Sequence, residues 1–76
     1  MELNNNIEVN PNVMMGKPVI KGTRITVEII LEKLSHGLTF PDILIAYPFL
    51  SEEKIKDALA YAARALKGDA IYPVNK

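Results

Sequence analysis

Apolar residues in the middle of the chain recur at the spacing of an amphipathic α-helix, in which residues i, i+3, i+4 and i+7 share one face. The first set lies between Thr26, a residue that suits a helix N-cap, and Gly37, a residue type that commonly ends helices. Its members are Val27, Ile30, Leu31 and Leu34. This pattern predicts a first helix of about nine residues.

Two further helices are predicted after the first. The second begins after Thr39, with Asp42 as a capping-box variant, and ends before Pro48. Its apolar positions are Phe40, Ile43, Leu44 and Tyr47. The third begins after Ser51 and stops at Gly68, and its apolar stripe is Ile55, Ala58, Leu59, Ala62 and Leu66. A short turn between the second and third helices predicts a helix-turn-helix within a trihelical core.

The pattern has a different period before residue 26. The letters IEV at 7–9 alternate apolar and polar side chains, and VI at 19 and 20 follows the turn-rich run PNVMMGKP. This predicts two short strands in a loose hairpin. Because an isolated two-stranded hairpin is only marginally stable in water, we expect it to pair with a neighbour across a dimer.

The predicted fold class is therefore mostly α. It is a three-helix, helix-turn-helix bundle with a short N-terminal β segment that is paired in a dimer. We expect a single domain over residues 1–76. Its parts are a β arm at 1–25, a trihelical core at 26–67 and a tail at 68–76.

The chain is small, with 76 residues. A domain of this size buries about 60% of its unfolded surface, so it commonly needs disulfides, a metal or a partner for stability. The chain has no cysteine and one histidine, which excludes disulfides and a histidine/cysteine metal site. A second copy is the simplest remaining partner, so we expect a homodimer without a metal or cofactor. The net charge is zero, so any nucleic-acid binding depends on local charge.

The sequence lacks the features of a membrane or secreted protein and those of an enzyme. No apolar run approaches the roughly 18 residues of a membrane span, and the N-terminus does not resemble a signal peptide. We expect a cytoplasmic protein with no membrane partner. His36 has no evident orienting partner, and Ser35 and Ser51 are predicted helix-end residues. We expect no catalytic residues and no enzymatic activity.

Residues 14–26, MMGKPVIKGTRIT, combine three cations with no acid. The run is not a phosphate-binding P-loop, because no G-K-[ST] follows its second glycine. Two interpretations remain. Either backbone N–H groups and Arg24 bind an anion, or Gly16 and Gly22 supply turn angles while solvent surrounds Lys17 and Lys21.

The third predicted helix occupies the position at which a helix-turn-helix protein reads DNA. The cations on its outward face could contact DNA phosphates. Glu52 and Glu53 in its first turn repel phosphates, although a glutamate carboxylate can accept a hydrogen bond from cytosine. The alternative is a solvated helix face with intrahelical ion pairs. The candidate DNA-contacting residues are Lys21, Arg24, Lys56, Arg64 and Lys67.

Several apolar residues do not fit the predicted helical stripes. Ile29 and Ile45 lie on other faces of their helices, and Ile71 and Tyr72 fall in the tail. Single exposed apolar residues are common. Together with an unpaired hairpin rich in Val, Ile and Met, this surplus favours a contact surface. The candidate partner and dimer interface residues are Ile7, Val9, Val19, Ile20, Ile29, Ile45, Ile71 and Tyr72.

Four runs of sequence form a specific combination: GKPVIKGTRI at 16–25, YP at 47 and 48, LS at 50 and 51, and ALAYAA at 58–63. With these runs the chain resembles the domain-of-unknown-function 433 family. The resemblance implies a homeodomain-like helix-turn-helix preceded by a short β segment, in a bacterial or archaeal protein. It also implies an antitoxin of a type II toxin–antitoxin pair, since many members are encoded beside a PIN-like ribonuclease-type protein. It supplies no site residues.

Two functions agree with these expectations. The first is an antitoxin-like DNA-binding regulator, a dimer that binds operator DNA through its trihelical unit and neutralises a PIN-like toxin. The second is a protein-interaction module in which the helix-turn-helix is only a scaffold. In that case DNA is not bound, and the hairpin, Ile29, Ile45 and the tail make the contacts.

Overall fold

A computed structural model describes residues 6–67. Its elements are two strands, β1 (Ile7–Val9) and β2 (Pro18–Ile20), followed by three helices, α1 (Val27–Ser35), α2 (Phe40–Ala46) and α3 (Glu52–Leu66). The prediction of a mostly helical fold with three helices after a short β segment is confirmed. The predicted tail, with Ile71 and Tyr72, lies outside the described residues. No helix within 6–67 is long and apolar enough to cross a bilayer.

Side-chain caps set where α1 and α3 begin. The Thr26 hydroxyl accepts from the Ile29 N–H at 3.0 Å, and the Ser51 hydroxyl accepts from the Lys54 N–H at 3.2 Å. Each bond satisfies a backbone donor that has no partner within its own helix. Gly37 follows the end of α1 with φ of 93°, a left-handed conformation that glycine adopts without a Cβ clash. The predicted caps of α1 and α3 and the predicted stop at Gly37 are therefore confirmed, whereas the predicted stop at Gly68 lies outside the described residues.

Thr39 and Asp42 form a reciprocal capping box at the start of α2. The Thr39 N–H donates to Asp42 Oδ2 at 2.9 Å, and the Asp42 N–H donates to Thr39 Oγ1 at 3.3 Å. The backbone hydrogen bond from Thr39, and then the side-chain one, lower the pKa of Asp42 below its ordinary value of 3.8. The ionised carboxylate is therefore the form that stabilises α2.

Replacing Asp42 with alanine is expected to lower the melting temperature at neutral pH, and to lower it progressively less in acid. Because the folded-state pKa is depressed, the carboxylate stabilises the native state above the unfolded pKa of about 3.8. This contribution is lost as pH falls through the folded pKa. Thermal unfolding at a series of pH values from neutral to strongly acidic measures the effect.

The Asp42→Asn variant is the matched control for this prediction. The asparagine amide oxygen can still accept from the Thr39 N–H, but the amide does not titrate. The loss of stability in acid that the Asp42 carboxylate contributes should therefore be absent from this variant. A wild-type-to-alanine difference that stayed constant throughout the acidic range would contradict the assigned role.

The two strands form an antiparallel hairpin. Ile7 pairs with Ile20, and Val9 pairs with Pro18. Their connection contains a short 3₁₀ turn, Met14–Gly16, which the sequence pattern did not predict. All three of its residues have positive φ, a conformation that is uncommon for methionine.

The hairpin packs onto the helices of its own chain. Ile7 and Ile20 belong to one buried cluster with residues of α1, α2, α3 and the turn before α3, namely Val27, Ile30, Ile43, Leu50, Ile55 and Ala58. Ile7, Val19 and Ile20 are all fully buried. The face of the hairpin that carries Ile7 and Ile20 is therefore covered by helices of the same chain. Contact of Ile7, Val19 and Ile20 with a partner stays a prediction, and it would require these buried side chains to become exposed.

Two positions of the predicted helical stripes are less buried than expected. Leu66 is 85% exposed, and Leu31 is also exposed. Leu66 lies in the last turn of α3, where no described residue covers it. The period of a helix indicates which residues share a face, but burial also requires a neighbouring element at that point along the helix.

Candidate nucleic-acid interface

The loop between β2 and α1 is held in place by hydrogen bonds among its own residues. The Ile20 N–H donates to the Ile25 carbonyl at 2.9 Å. The Thr23 hydroxyl donates to the Ile20 carbonyl at 2.7 Å and accepts from the Ile25 N–H at 2.9 Å. The side chains of Lys21 and Arg24 are exposed on this ordered loop.

The turn between α2 and α3 brings a second segment to the loop. The Leu50 N–H donates to the Tyr47 carbonyl at 3.0 Å, and the Leu50 side chain is buried. Phe49, which precedes it, remains 57% exposed. Ser51 then caps α3 through the N–H of Lys54, which lies in the first turn of the helix.

These two segments line an open groove of about 540 Å³ that we call the basic groove. Its lining residues are Lys21, Gly22, Thr23, Arg24, Ile25, Phe49 and Lys54. Three of these seven residues are cations, and none of them is acidic. Arg24 and Lys54 form no ion pair with any residue between 6 and 67. Positive charges that line a concave surface attract anions, and arginine binds phosphate oxygens bidentately.

The predicted DNA-contacting residues fall into two groups. Lys21 and Arg24 lie together in the basic groove. The other three are exposed outside the groove, with Lys56 and Arg64 on α3 and Lys67 at its C-cap. Lys56 also lies 3.9 Å from Glu52 in an exposed i, i+4 pair, a kind of pair that contributes little to stability. The structure thus brings together two of the five predicted cations.

Lys54 and Phe49 are groove residues that the sequence interpretation missed. Both lie far along the chain from Arg24, and no local pattern indicates that the two segments meet. The unusual feature available in the sequence was Phe49 itself, a large apolar residue in a short turn. Its exposure beside cations became evident only from the fold.

The remaining interface candidates occupy different parts of the surface. Ile45 is 80% exposed on α2, and Val9 is half-buried in β1. Ile29 is half-buried on α1 and lines a hollow together with Met14. Their contact with a partner stays a prediction. Within residues 6–67, no three His, Cys, Asp or Glu residues are grouped so as to hold a metal ion.

Gly22 shapes the loop of the basic groove, and its replacement by alanine is expected to destabilise the protein by about 1–2 kcal/mol. Its φ is 79°, and an added Cβ would meet no atom within 4 Å, so the cost arises from the backbone conformation alone. Urea unfolding measures this change. Gly22→Asn is the control, since asparagine tolerates left-handed angles and should lose less. Equal losses for the two variants would argue against a backbone origin.

The matched family model is described as Protein of unknown function (DUF433), and it covers residues 7–62. The chain belongs to this family. The DUF433 match includes both segments of the basic groove and ends before Arg64 and Lys67.

Two further comparisons place the chain among known proteins. Uncharacterized protein y4eO of Sinorhizobium fredii (strain NBRC 101917 / NGR234) is 37% identical over 60 residues, which cover 78% of this chain and 27% of y4eO. The chain therefore spans about a quarter of that relative. A crystal structure of a DUF433 member from Anabaena variabilis ATCC 29413 matches with a TM-score of 0.79 and 29% identity, covering 86% of this chain and 64% of the other. The fold is thus shared with an experimentally determined member of the family.

Proposed function

We propose that this protein is a dimeric, antitoxin-like regulator that binds operator DNA through a homeodomain-like helix-turn-helix, α2–turn–α3. The observation that carries the DNA-binding part is the basic groove. There, Lys21 and Arg24 meet Lys54 at the start of α3 in a concavity whose lining residues include no acid. A cationic groove at the N-terminal end of the second helix of such a motif suits the phosphate backbone beside the major groove.

Four residues of the basic groove contact DNA in this proposal. Arg24 binds a phosphate through two parallel N–H···O hydrogen bonds, and Lys21 and Lys54 supply positive charges on either side. Phe49 packs against the deoxyribose edge and excludes water from the contact. Lys56 adds a further phosphate contact from the outward face of α3.

The residues on the outward face of α3 determine which contacts this helix can make with the bases. Ala60 and Ala63 are exposed and small, so they allow the helix to approach the DNA closely. Glu52 and Glu53 lie in the first turn and oppose phosphate, so a base contact from them is limited to a cytosine amino group. Affinity in this proposal therefore comes mainly from backbone contacts, with Arg64 and Lys67 contributing at the far end of the helix.

A direct binding titration tests the DNA-binding part of the proposal. Fluorescence anisotropy with duplex DNA from upstream of the protein's own gene should show affinity that falls steeply with salt. The log–log slope should be near −0.9 for each phosphate neutralised. A duplex of the same length and scrambled sequence is the control for specificity. Absence of binding at low salt, with and without a co-purified toxin, would remove DNA binding from the function.

The antitoxin part of the proposal rests on what the family resemblance in the sequence implies, since the matched family is itself described as of unknown function. The partner would be a PIN-like toxin encoded in the neighbouring gene. Co-expression should yield a stable complex and relieve growth arrest caused by the toxin alone. Growth arrest that persisted despite expression of the folded protein would contradict neutralisation.

A protein-interaction module that does not bind DNA is the second candidate function. It is favoured by the exposed apolar side chains of Met15, Ile45 and Leu66 and by the acidic first turn of α3. This function predicts capture of the neighbouring gene product without any DNA binding. The anisotropy titration and the co-expression experiment together separate the two functions.

A further inference from the structure

Phe49 is the aromatic residue among those that line the basic groove, and the turn that carries it is held in place on both sides. The Leu50 side chain next to it is buried, and the Leu50 N–H donates to the Tyr47 carbonyl at 3.0 Å. The Tyr47 ring lies edge-to-face with the Phe49 ring, and 6.1 Å separate the two ring centres. Phe49 is nevertheless mostly exposed, so an aromatic surface on an ordered turn lies open to solvent beside the cations of the groove.

The neighbours of Phe49 determine what kind of molecule can cover its ring. An apolar protein surface placed over the groove would also remove Arg24 and Lys54 from water, and burying a charge without a partner is costly. A molecule that suits the groove therefore supplies anions for the cations and an apolar surface for the ring. Each nucleotide of a nucleic acid carries both groups, namely a phosphate and a flat base.

The pairing state of a nucleotide decides whether its base can reach the ring. In duplex DNA each base is stacked between its neighbours, so Phe49 reaches only the edge of the deoxyribose. In a single strand the face of a base is accessible, and aromatic side chains of proteins that bind single strands stack on it beside a cationic groove that follows the backbone. We propose that the basic groove also binds single-stranded nucleic acid, with one unpaired base stacked on Phe49.

This inference rests on the proposed binding of nucleic-acid phosphates by the basic groove, and it adds the base as a second point of contact. The groove measures about 540 Å³, which lies within the range of about 300–1,000 Å³ that is usual for small-molecule sites. It therefore has room for a nucleotide. Arg24, Lys21 and Lys54 contact the phosphates that flank the stacked base.

The side-chain hydroxyl in the lining of the groove is already engaged within the loop. Thr23 donates to the Ile20 carbonyl and accepts from the Ile25 N–H. It is therefore not available to donate to a ribose 2′-hydroxyl, the group by which proteins distinguish RNA from DNA. Because recognition comes from the base and the phosphates, single strands of DNA and RNA should bind with similar affinity.

The test is fluorescence anisotropy of the full chain with labelled single strands of about 12 nucleotides. The probes are oligo-deoxyuridine, oligo-uridine and an abasic strand of the same length, which keeps the phosphates but has no bases. The wild type should bind the two complete strands alike. It should bind the abasic strand on the order of 10-fold more weakly, because the stacking contact is missing.

Phe49→Leu separates stacking from the other contacts, since leucine keeps an apolar side chain but has no aromatic face. This variant should bind oligo-deoxyuridine on the order of 10-fold more weakly and should bind duplex DNA with nearly wild-type affinity. Phe49→Tyr keeps the ring and should bind both as the wild type does. Circular dichroism shows whether each variant is folded, and if Phe49→Leu is not, the abasic strand decides the question on the wild type.

The outcomes distinguish this inference from the proposed function. Binding of duplex DNA without binding of single strands would overturn the inference and leave operator binding intact. Base-dependent binding of single strands alone would support the inference and remove operator binding, whereas no binding of either form would remove both. Equal affinity for the abasic strand, unchanged affinity in folded Phe49→Leu, or a preference for one sugar above about 10-fold would also overturn recognition through the base and phosphates.

Discussion

Replacing Arg24 and Lys54 together with alanine is expected to weaken binding to upstream DNA by on the order of 100-fold at low salt. Each substitution removes one charge-assisted contact to phosphate, so the log–log salt slope should also become shallower by about 1.8. The loss should be similar for specific and scrambled duplexes, because phosphate contacts carry no sequence information. Fluorescence anisotropy at several salt concentrations measures both quantities.

A double variant of equal charge provides the control. Lys17→Ala with Lys33→Ala also removes two positive charges, but Lys17 pairs with Glu28 and Lys33 lies over the ring of Tyr47, 5.7 Å from its centre. Neither lysine lines the basic groove. This variant should bind DNA with nearly wild-type affinity. If the two double variants lose affinity equally, net charge rather than the groove determines binding.

Replacing Ile55 with alanine is expected to destabilise the protein by about 2–5 kcal/mol. Ile55 is fully buried on α3, in the cluster that joins the helix to the hairpin and α1. A domain of this size has a total stability of about 4–11 kcal/mol, so the loss is a large fraction of the total and should clearly lower the urea midpoint. Urea unfolding followed by circular dichroism measures the change in the free energy of unfolding.

Ile45→Ala is the matched control, because it deletes the same atoms at a position that is exposed on α2. Its effect should stay within about 0.5 kcal/mol of the wild type. A loss for Ile45→Ala as large as that for Ile55→Ala would mean that Ile45 is covered in solution. An effect of Ile55→Ala below about 1 kcal/mol would contradict its central place in the core.

The helices were predictable because their signals are local. Thr26, Thr39 and Ser51 each accept a hydrogen bond from an N–H three residues later, so a short stretch of sequence contains both partners. Gly37 acts through its own backbone angle. The apolar period then identifies the face that turns inward, as it does for Ile30, Ile43 and Ile55.

Only part of the candidate site could be predicted, because the rest depends on contacts between residues that are distant in the sequence. Lys21 and Arg24 are close in the sequence and could be recognised as a pair. Lys54 and Phe49 join them through the packing of α3 against the rest of the chain, which no local pattern encodes. The left-handed Met14 and Met15 were missed as well, because the preference of methionine is for other angles.

The sequence by itself determined the three helices, their caps, the two short strands and the family, since each depends on neighbouring residues or on the order of residues along the chain. The tertiary structure decided which apolar residues are core and which are surface. It buried Ile7 and Ile20 against the chain's own helices and left Leu66 exposed. The physical reason is that burial depends on which element lies opposite a side chain, and that neighbour is brought there by contacts between residues distant in the sequence.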